Sequence, residues 1–505
     1  MEGFEMILTG AWSVLPPLIA IVLALITKEV YSSLLVGVLS GLVIYNMATG
    51  GTILQALIMV PQMMAEQISG NGTMILFLSL LGAVVVVVTM AGGSRAYGNW
   101  AREKISSAKG AKMFTALLGM LIFIDDYFNC LTVGTVMRPV TDKFGIAREK
   151  LAYFIDATAA PICIIAPVSS WAVAVAGYMG EGAGFEAFIA AIPYNLYALL
   201  TLAMVVYLCV TNFDFGPMKK AQEEAKARAN GADEIDDADF DGITVSKQGK
   251  VYDLLIPIVV LIVFSILGMA YVGGFFDGVD FIMAIGENPT MGLTLGAFVA
   301  LITAAVLYIP RKLMTFKDFM EGIAQGVKSM VPALLILVLA WSLSSVCRYM
   351  IGTGPFVSGL VESSGISLVW LPAFVFVIAA FLSFSMGTAW GTFGILLPII
   401  IEVCSGATGA AFLFPAMGAT LAGSVFGDHC SPISDTTILS SAGAKCDHMS
   451  HVSTQIPYAL FVAVFCFFGY IITGFVGNPW VALVACLVGM VIAFKVMEKK
   501  QKSVA

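Results

Sequence analysis

Five long stretches of this 505-residue chain contain neither Lys nor Arg: residues 29–94, 151–218, 251–310, 349–444 and 446–494. A membrane-crossing helix needs roughly 20 predominantly apolar residues, so each stretch can hold two or more crossings. Basic residues collect between them, at Arg95 to Lys112, Arg138 to Lys150, Lys219 to Lys250, Arg311 to Lys328, Lys445 and Lys495 to Lys502, and Arg348 is the one basic residue expected outside. Only 12% of the residues are charged, 59% are hydrophobic and the mean hydropathy is +0.93. A soluble domain carries about 25% charged residues. The chain is therefore an all-α polytopic membrane protein. Its 50 glycines and 11% aromatic residues suit helices that pack closely in lipid.

Uninterrupted apolar spans fall at about 11–27, 31–48, 72–92, 186–211, 251–273, 291–309, 331–347, 452–474 and 479–496. Four further regions are apolar but broken by polar residues, Gly or Pro: 111–140, 149–178, 368–401 and 411–443. The excess of Lys and Arg in cytoplasmic loops then fixes a topology. The N-terminus is expected outside, Lys28 and the C-terminus in the cytoplasm. This holds only if 111–140 and 368–401 do not cross, but enter and return as re-entrant hairpins, the first from the cytoplasm and the second from outside. The expected domains are an N-terminal transmembrane repeat (1–212), a cytoplasmic linker (213–250), a C-terminal inverted repeat (251–476), and an extra helix with a cytoplasmic tail (477–505). The linker is acidic and reads as partly disordered. Its D-E-I-D-D-A-D-F-D run lacks the spacing and closing Glu of an EF-hand. Met1 to Leu8 has no basic n-region, so no cleaved signal peptide is expected, and the nine cysteines read as small buried hydrophobes.

The broken regions occur in pairs. Y-F-N-C-L-T-V-G-T-V-M-R-P-V (127–140) matches M-G-T-A-W-G-T-F-G-I-L-L-P-I (386–399) when Pro139 is set on Pro398. A-P-V-S-S (166–170) matches S-P-I-S-D (431–435), with Pro167 on Pro432 and Ser170 on Asp435. The offsets, 259 and 265, are close, and hairpin precedes broken helix in both halves. The expected fold is two inverted-topology repeats, each with a re-entrant helical hairpin and a broken transmembrane helix, as in secondary transporters.

The most polar stretch at membrane depth is F-G-D-H-C-S-P-I-S-D-T-T-I-L-S-S-A-G-A-K-C-D-H-M-S-H-V-S-T-Q-I-P, residues 426–457. Such a segment is tolerated only where it lines a cavity or is buried in protein. G-D-H-C-S-P-I-S-D-T-T, the downstream H-M-S-H-V-S-T-Q-I-P-Y, and I-D-D-Y-F-N-C-L-T-V-G-T-V-M-R-P-V-T-D in the first half resemble the signature of NhaC-type Na+/H+ antiporters. The likeness spans about 110–180 and 380–460. It implies membership of the wider ion transporter superfamily, with paired hairpins, unwound helices and a homodimer formed through a scaffold domain. Some relatives exchange malate, lactate or amino acids, so the resemblance implies cation coupling more directly than a cargo.

Na+ prefers oxygen ligands, which carboxylates, hydroxyls and the carbonyls of unwound helices supply. The expected ion and proton ligands in the first half are Asp125, Asp126, Asn129, Thr132, Asp156, Ser169 and Ser170. In the second half they are Ser385, Thr388, Asp428, Ser431, Ser434, Asp435 and Thr436. A carboxylate that either binds a proton or ligates Na+ couples the two fluxes. Arg138, Trp171, Trp390 and His429 are candidate substrate contacts. His448 and His451 read as a polar cluster at a cytoplasmic helix end, and C-D-H-M-S-H matches no zinc pattern, so no transition metal is expected.

These features point to a secondary antiporter exchanging external H+ for internal Na+, with a coupled carrier of a small organic or amino acid as the rival. No enzymatic activity is expected, no cofactor beyond Na+ and H+, and no nucleic-acid partner. A primary pump is excluded in this chain by the lack of G-x-x-x-x-G-K-[ST]. The expected location is the bacterial inner membrane.

Overall fold

A computed structural model describes residues 5–504 except 28, 124, 168, 180–183, 212, 230–244, 280, 282–283, 286–287, 354, 357–358, 360–366, 407–408 and 433. Every longer regular element among the described residues is a helix. The N-terminal part contains α1 (Leu15–Thr27), α2 (Val30–Ala48), α3 (Ile53–Gly70), α4 (Gly72–Met90), α5 (Gly93–Lys104), α6 (Ala108–Leu121) and α7 (Asp126–Lys143). It continues through α8 (Arg148–Cys163), α9 (Ser170–Ala176), α10 (Gly184–Ala191), α11 (Leu196–Val210) and α12 (Pro217–Ala229). Then come α13 (Val251–Val272), α14 (Pro289–Tyr308), α15 (Phe316–Ser345), α16 (Leu371–Met386) and α17 (Ala389–Val403). The chain ends with α18 (Leu413–Cys430), α19 (Asp435–Ala444), α20 (His448–Val476) and α21 (Pro479–Val504). Among the described residues nine helices are long and apolar enough to cross a membrane, or ten if one bent pair is counted as a span. The protein is an integral membrane protein.

Each of the four interrupted apolar regions consists of two helices with a break between them: α6/α7, α8/α9, α16/α17 and α18/α19. The breaks are held by short polar side chains that replace lost helical hydrogen bonds. Ser169 accepts from the Ala172 N–H at 3.0 Å and its hydroxyl lies 2.7 Å from the Cys163 carbonyl. Ser434 accepts from the Thr437 N–H, and Thr388 from the Gly391 N–H, each at 3.3 Å. These are N-caps of α9, α19 and α17. Gly387 ends α16 with φ +69°, a left-handed conformation that favours glycine. Between α6 and α7 the amide of Asn129 donates to the carbonyls of Gly119 (2.6 Å), Ile122 (2.8 Å) and Thr158 (3.2 Å), so one side chain closes the break and fastens it to α8.

A chain of polar contacts joins the basic segments on one face. Arg148 donates to the Lys445 carbonyl at 3.1 Å and pairs with Asp142 at 3.2 Å. Buried Lys150 meets Asp214 at 2.7 Å, and Gln501 donates to the Asp214 carbonyl at 2.9 Å. Lys112 donates to the Leu208 and Thr211 carbonyls at the end of α11. α6 starts and α7 ends among these contacts. The ends of α16 and α17 also come together, since Val375, Ile400, Cys404 and Ala416 share one apolar cluster.

Several boundaries differ from the sequence reading. Residues 53–70 form α3, whose apolar run is broken by Gln55, Gln62, Glu66 and Gln67 and so offers no uninterrupted span; a Thr52/Gln55 capping box starts it. The 331–347 span is the second half of the 30-residue α15, whose first half carries Lys317, Asp318, Glu321 and Lys328 and is capped by Thr315. The 186–211 span is bent by 52° at the single turn Ile192–Tyr194, which contains Pro193. The first part of the 213–250 linker is helical, with Lys219–Glu223 and Lys220–Glu224 pairs one turn apart. The Asp-rich run lies outside the described residues.

α4 is the most enclosed of the spans before the first break, with Leu81 to Val88 all buried. It crosses α15 at Gly82 and Gly326, where a Cβ on either glycine would collide with the backbone of the other. Gly82→Leu or Gly326→Leu should therefore separate the helices and destabilise the fold by about 1–3 kcal/mol, seen as a lower thermal midpoint in detergent. Asn129→Ala should also lower that midpoint, by the equivalent of about 2 kcal/mol, because it strips a donor from buried carbonyls. Tyr127→Phe, which removes only a 3.3 Å bond to exposed Asp435, should change it by less than about 1 kcal/mol.

Candidate functional site

The four breaks bring polar residues to the interior where α7, α8, α9, α17, α18, α19 and α20 approach one another. Asp125 and Asp126 begin α7 and both are buried. Asp125 accepts from the Ser170 hydroxyl at 3.2 Å, which ties the first break to the start of α9. Asp126 has no side-chain hydrogen bond to either oxygen among the described residues. The indole nitrogens of Trp171 and Trp390 lie beside it, neither in hydrogen-bond geometry. The two indoles are in contact, with ring centroids 5.2 Å apart, and both rest on Phe393. Thr132 is buried one turn beyond Asn129, its hydroxyl without a partner among the described residues.

A second group surrounds Asp156, in the middle of α8 and wholly buried. One carboxylate oxygen accepts from Gln455 Nε2 at 2.6 Å and from the Thr437 hydroxyl at 3.2 Å. His451 Nε2 lies 3.6 Å from that oxygen, and His429 Nε2 lies 3.9 Å from the other. Gln455 also donates to the His429 carbonyl at 2.8 Å, and the Tyr197 hydroxyl lies 3.1 Å from His429 Nδ1. Asp428, one residue before His429, accepts from the Thr436 hydroxyl at 2.7 Å, and that hydroxyl lies 3.2 Å from Ser434. Thr437 reaches the Asp428 carbonyl as well, at 3.4 Å. A single hydrogen-bonded set thus joins α8, α18, α19 and α20.

The predicted ligands are distributed as follows. Asp125, Asp126, Asn129, Thr132, Asp156, Ser169, Ser170, Thr388, Asp428, Ser431, Ser434 and Thr436 are all buried. Ser169, Thr388 and Ser434 serve as helix caps and Asn129 as a brace, so those side chains are committed to the backbone. Ser385 is half-buried, and Asp435 is exposed, meeting the Tyr127 hydroxyl at 3.3 Å. Arg138 is buried too, but twelve residues along α7 from Asp126, about 18 Å at 1.5 Å per residue. It is therefore separated from the group at the start of α7.

Sequence reasoning placed the two downstream histidines together at a helix end. His448 is there: it bonds the Pro432 carbonyl at 2.6 Å and Ser441 at 3.2 Å, bracing the second-half break. His451 is instead fully buried against Asp156. Gln455 and Tyr197 were not anticipated. The available signal was the four-residue spacing of His451 and Gln455, which puts both on one face of a helix. No cluster of His, Cys, Asp and Glu suited to a transition metal occurs among the described residues.

Comparison with known proteins matches this architecture to one family. The chain is 37% identical to an uncharacterized protein of Haemophilus influenzae, over 97% of this chain and 96% of that one. It is 30% identical to a malate-2H(+)/Na(+)-lactate antiporter of Bacillus subtilis, over 32% of this chain and 34% of that one. It is 31% identical to an arginine/ornithine antiporter of Halobacterium salinarum, over 32% of each. The Na+/H+ antiporter family matches residues 151–475, from α8 through α20, which takes in Asp156, Asp428, His451 and Gln455. The chain belongs to the Na+/H+ antiporter family, a family of membrane transporters.

Proposed function

We propose that the protein is a secondary active antiporter that exchanges external H+ for internal Na+ by alternating access. The observation that carries this reading is Asp126, a carboxylate fully buried at a helix break with neither oxygen hydrogen-bonded among the described residues. An ionised carboxylate in such surroundings is stable only when a cation compensates it. Its two stable states are therefore the protonated acid and the cation-ligated anion, and alternation between them is antiport. Asp428, with the Thr436 hydroxyl at its side and Ser431 in the adjoining break, offers a second set of hard oxygen ligands. Asp156 is joined to Asp428 through Thr437, whose hydroxyl reaches the Asp156 carboxylate and the Asp428 carbonyl. Asp435 stands at the exposed rim beside Tyr127, where it attracts cations rather than holding them.

The same reading treats the two halves as inverted repeats. The paired half-helices start at Asp126 and Ala389 and at Ser170 and Asp435, offsets of 263 and 265 residues. These agree better than the offset taken from Pro139 and Pro398. α6/α7 has both ends among the basic segments, and the ends of α16/α17 share one cluster, which supports re-entrant hairpins entering from opposite faces. With the basic face cytoplasmic, the N-terminus is outside and the C-terminus inside, in a bacterial inner membrane. We assign residues 1–212 and 251–476 to the repeats, 213–250 to the linker and 477–505 to the extra helix and tail, and expect a homodimer.

A second reading, exchange of a small organic or amino acid coupled to Na+ or H+, is favoured by the indoles of Trp171 and Trp390 beside Asp126 and by the named activities of the Bacillus and Halobacterium relatives. Proteoliposomes with an imposed pH gradient separate the two. The expected result is dissipation on adding Na+ or Li+ alone, reduced by on the order of a hundredfold in Asp126→Asn and Asp428→Asn, the size that follows from losing a buried charged partner. Asp435→Asn should raise the half-saturating cation concentration while leaving the maximal rate within about threefold, as for a surface charge. If Na+, Li+ and K+ all leave the gradient intact, and malate, lactate or an amino acid collapses it, the second reading replaces the first.

A further inference from the structure

The loop before α13 lies directly on the corner between α4 and α5. The Ser246 N–H donates to the Met90 carbonyl at 2.9 Å. Gly92, with φ +77°, and Gly249 allow this approach, since a Cβ on either would strike the backbone of the other segment. Beside the contact is a cavity of about 340 Å³ whose polar lining is Arg95, Asn99, Lys247 and Lys250, completed by Ala96, Val251 and the glycines Gly92 and Gly249. Three of those four side chains are cations and the fourth is neutral. Asp253, three residues after Lys250, accepts from the Lys250 N–H at 2.7 Å and forms a two-pronged pair with Arg311. α5 begins at the cavity with no side-chain cap and no acidic residue in its first turn, so its positive end adds to the field.

The position narrows the ligand. Two membrane spans end here, α4 at Met90 and α13 at Val251. α5 carries Arg95 and Lys104 together with half-buried Tyr97 and exposed Trp100, aromatics of the kind that settle at the headgroup level. We propose that this cavity binds the phosphate of an anionic phospholipid headgroup, with Arg95, Lys247 and Lys250 as its cationic ligands. Its volume is at the small end of ligand pockets, roughly 300–1,000 Å³, which suits a headgroup while the acyl chains remain in the bilayer. A lipid held there joins α13 to the segment that leads into α6 and α7.

The test uses the full-length protein in mild detergent with phosphatidylglycerol or phosphatidylcholine added, read by lipid adducts in native mass spectrometry. Wild type should retain phosphatidylglycerol in preference to phosphatidylcholine. A surface basic residue contributes about fivefold to the binding of an anionic lipid. Arg95→Gln/Lys247→Gln/Lys250→Gln should therefore weaken that preference by on the order of a hundredfold. The single change Lys247→Glu, at an exposed position, should weaken it at least about fivefold and keeps the test valid if the triple variant does not fold. Lys312→Gln/Lys317→Gln, which removes the same kind of charge elsewhere in the basic loops, should leave it unchanged. Equal retention by wild type and Lys247→Glu overturns the proposal, as does an equal loss in the Lys312/Lys317 control. Displacement of phosphatidylglycerol by millimolar inorganic phosphate in wild type would show a site for soluble phosphate and overturn the lipid assignment.

Discussion

The structure depends on one constraint: a peptide group in the membrane interior must find a hydrogen-bond partner within the protein. Four helices of this chain are interrupted, and each interruption exposes carbonyls and N–H groups that water does not reach. The sequence answers with small polar side chains at fixed places. Ser169, Thr388 and Ser434 cap the helices that resume after three of the breaks, and Asn129 collects three carbonyls at the fourth. Once the breaks are stable, the carboxylates next to them can be buried without a separate scaffold. Asp125 and Asp126 follow directly from the first break, and Asp428 precedes the last by three residues.

This also separates two roles that a list of hydroxyl residues cannot distinguish. Ser169 and Ser434 are equally polar and equally buried as Ser170 and Thr436, and all four occur in the same short motifs. The first pair is used up by the backbone, whereas Ser170 and Thr436 direct their hydroxyls to Asp125 and Asp428. A cap fixes where the helix restarts, and that in turn fixes which neighbouring side chain points at a carboxylate. The site is thus a consequence of helix-end chemistry one residue, or two, away from it.

Much of this was legible in the sequence because it is local. Gly, Pro and hydroxyl residues inside apolar runs mark breaks, and all four breaks occur where those residues do. The absence of Lys and Arg over long stretches marks membrane spans regardless of tertiary contacts. What was not legible depends on depth and crossing. His451 follows Lys445 and Cys446 closely enough to read as an interfacial residue, yet α20 starts low enough to bury it against Asp156. Tyr197 is one of three hydroxyl-bearing residues of α11, with Thr201 and Tyr207, and the approach of α18 gives its hydroxyl a partner in His429. Arg138 shows the opposite error: nearness in a motif suggested nearness in space, but twelve helical residues carry it away from Asp126. α3 was missed for a different reason, since its polar residues recur too often for a hydropathy window while its capping box and buried Ala56, Val60 and Met63 still specify a helix.

The bonds around Asp156 bear on how such a site can change its exposure. Gln455 of α20 holds both the Asp156 carboxylate and the His429 carbonyl, and Thr437 of α19 reaches both Asp156 and the Asp428 carbonyl. Separating α8 from α18, α19 or α20 would leave several buried polar groups unsatisfied at once, each at about 1–3 kcal/mol. The crossing of α7 and α19 is close as well, with Gly134 set against Gly443 and the Ser440 hydroxyl 3.3 Å from the Cys130 sulfur. By contrast, α4 meets α15 at Gly82 and Gly326 by close backbone approach and the Met330 side chain, a contact of packing. The polar network therefore makes the two halves of the site a single mechanical unit around Asp156. Displacing α8 relative to α18, α19 or α20 is costlier than displacing the four together.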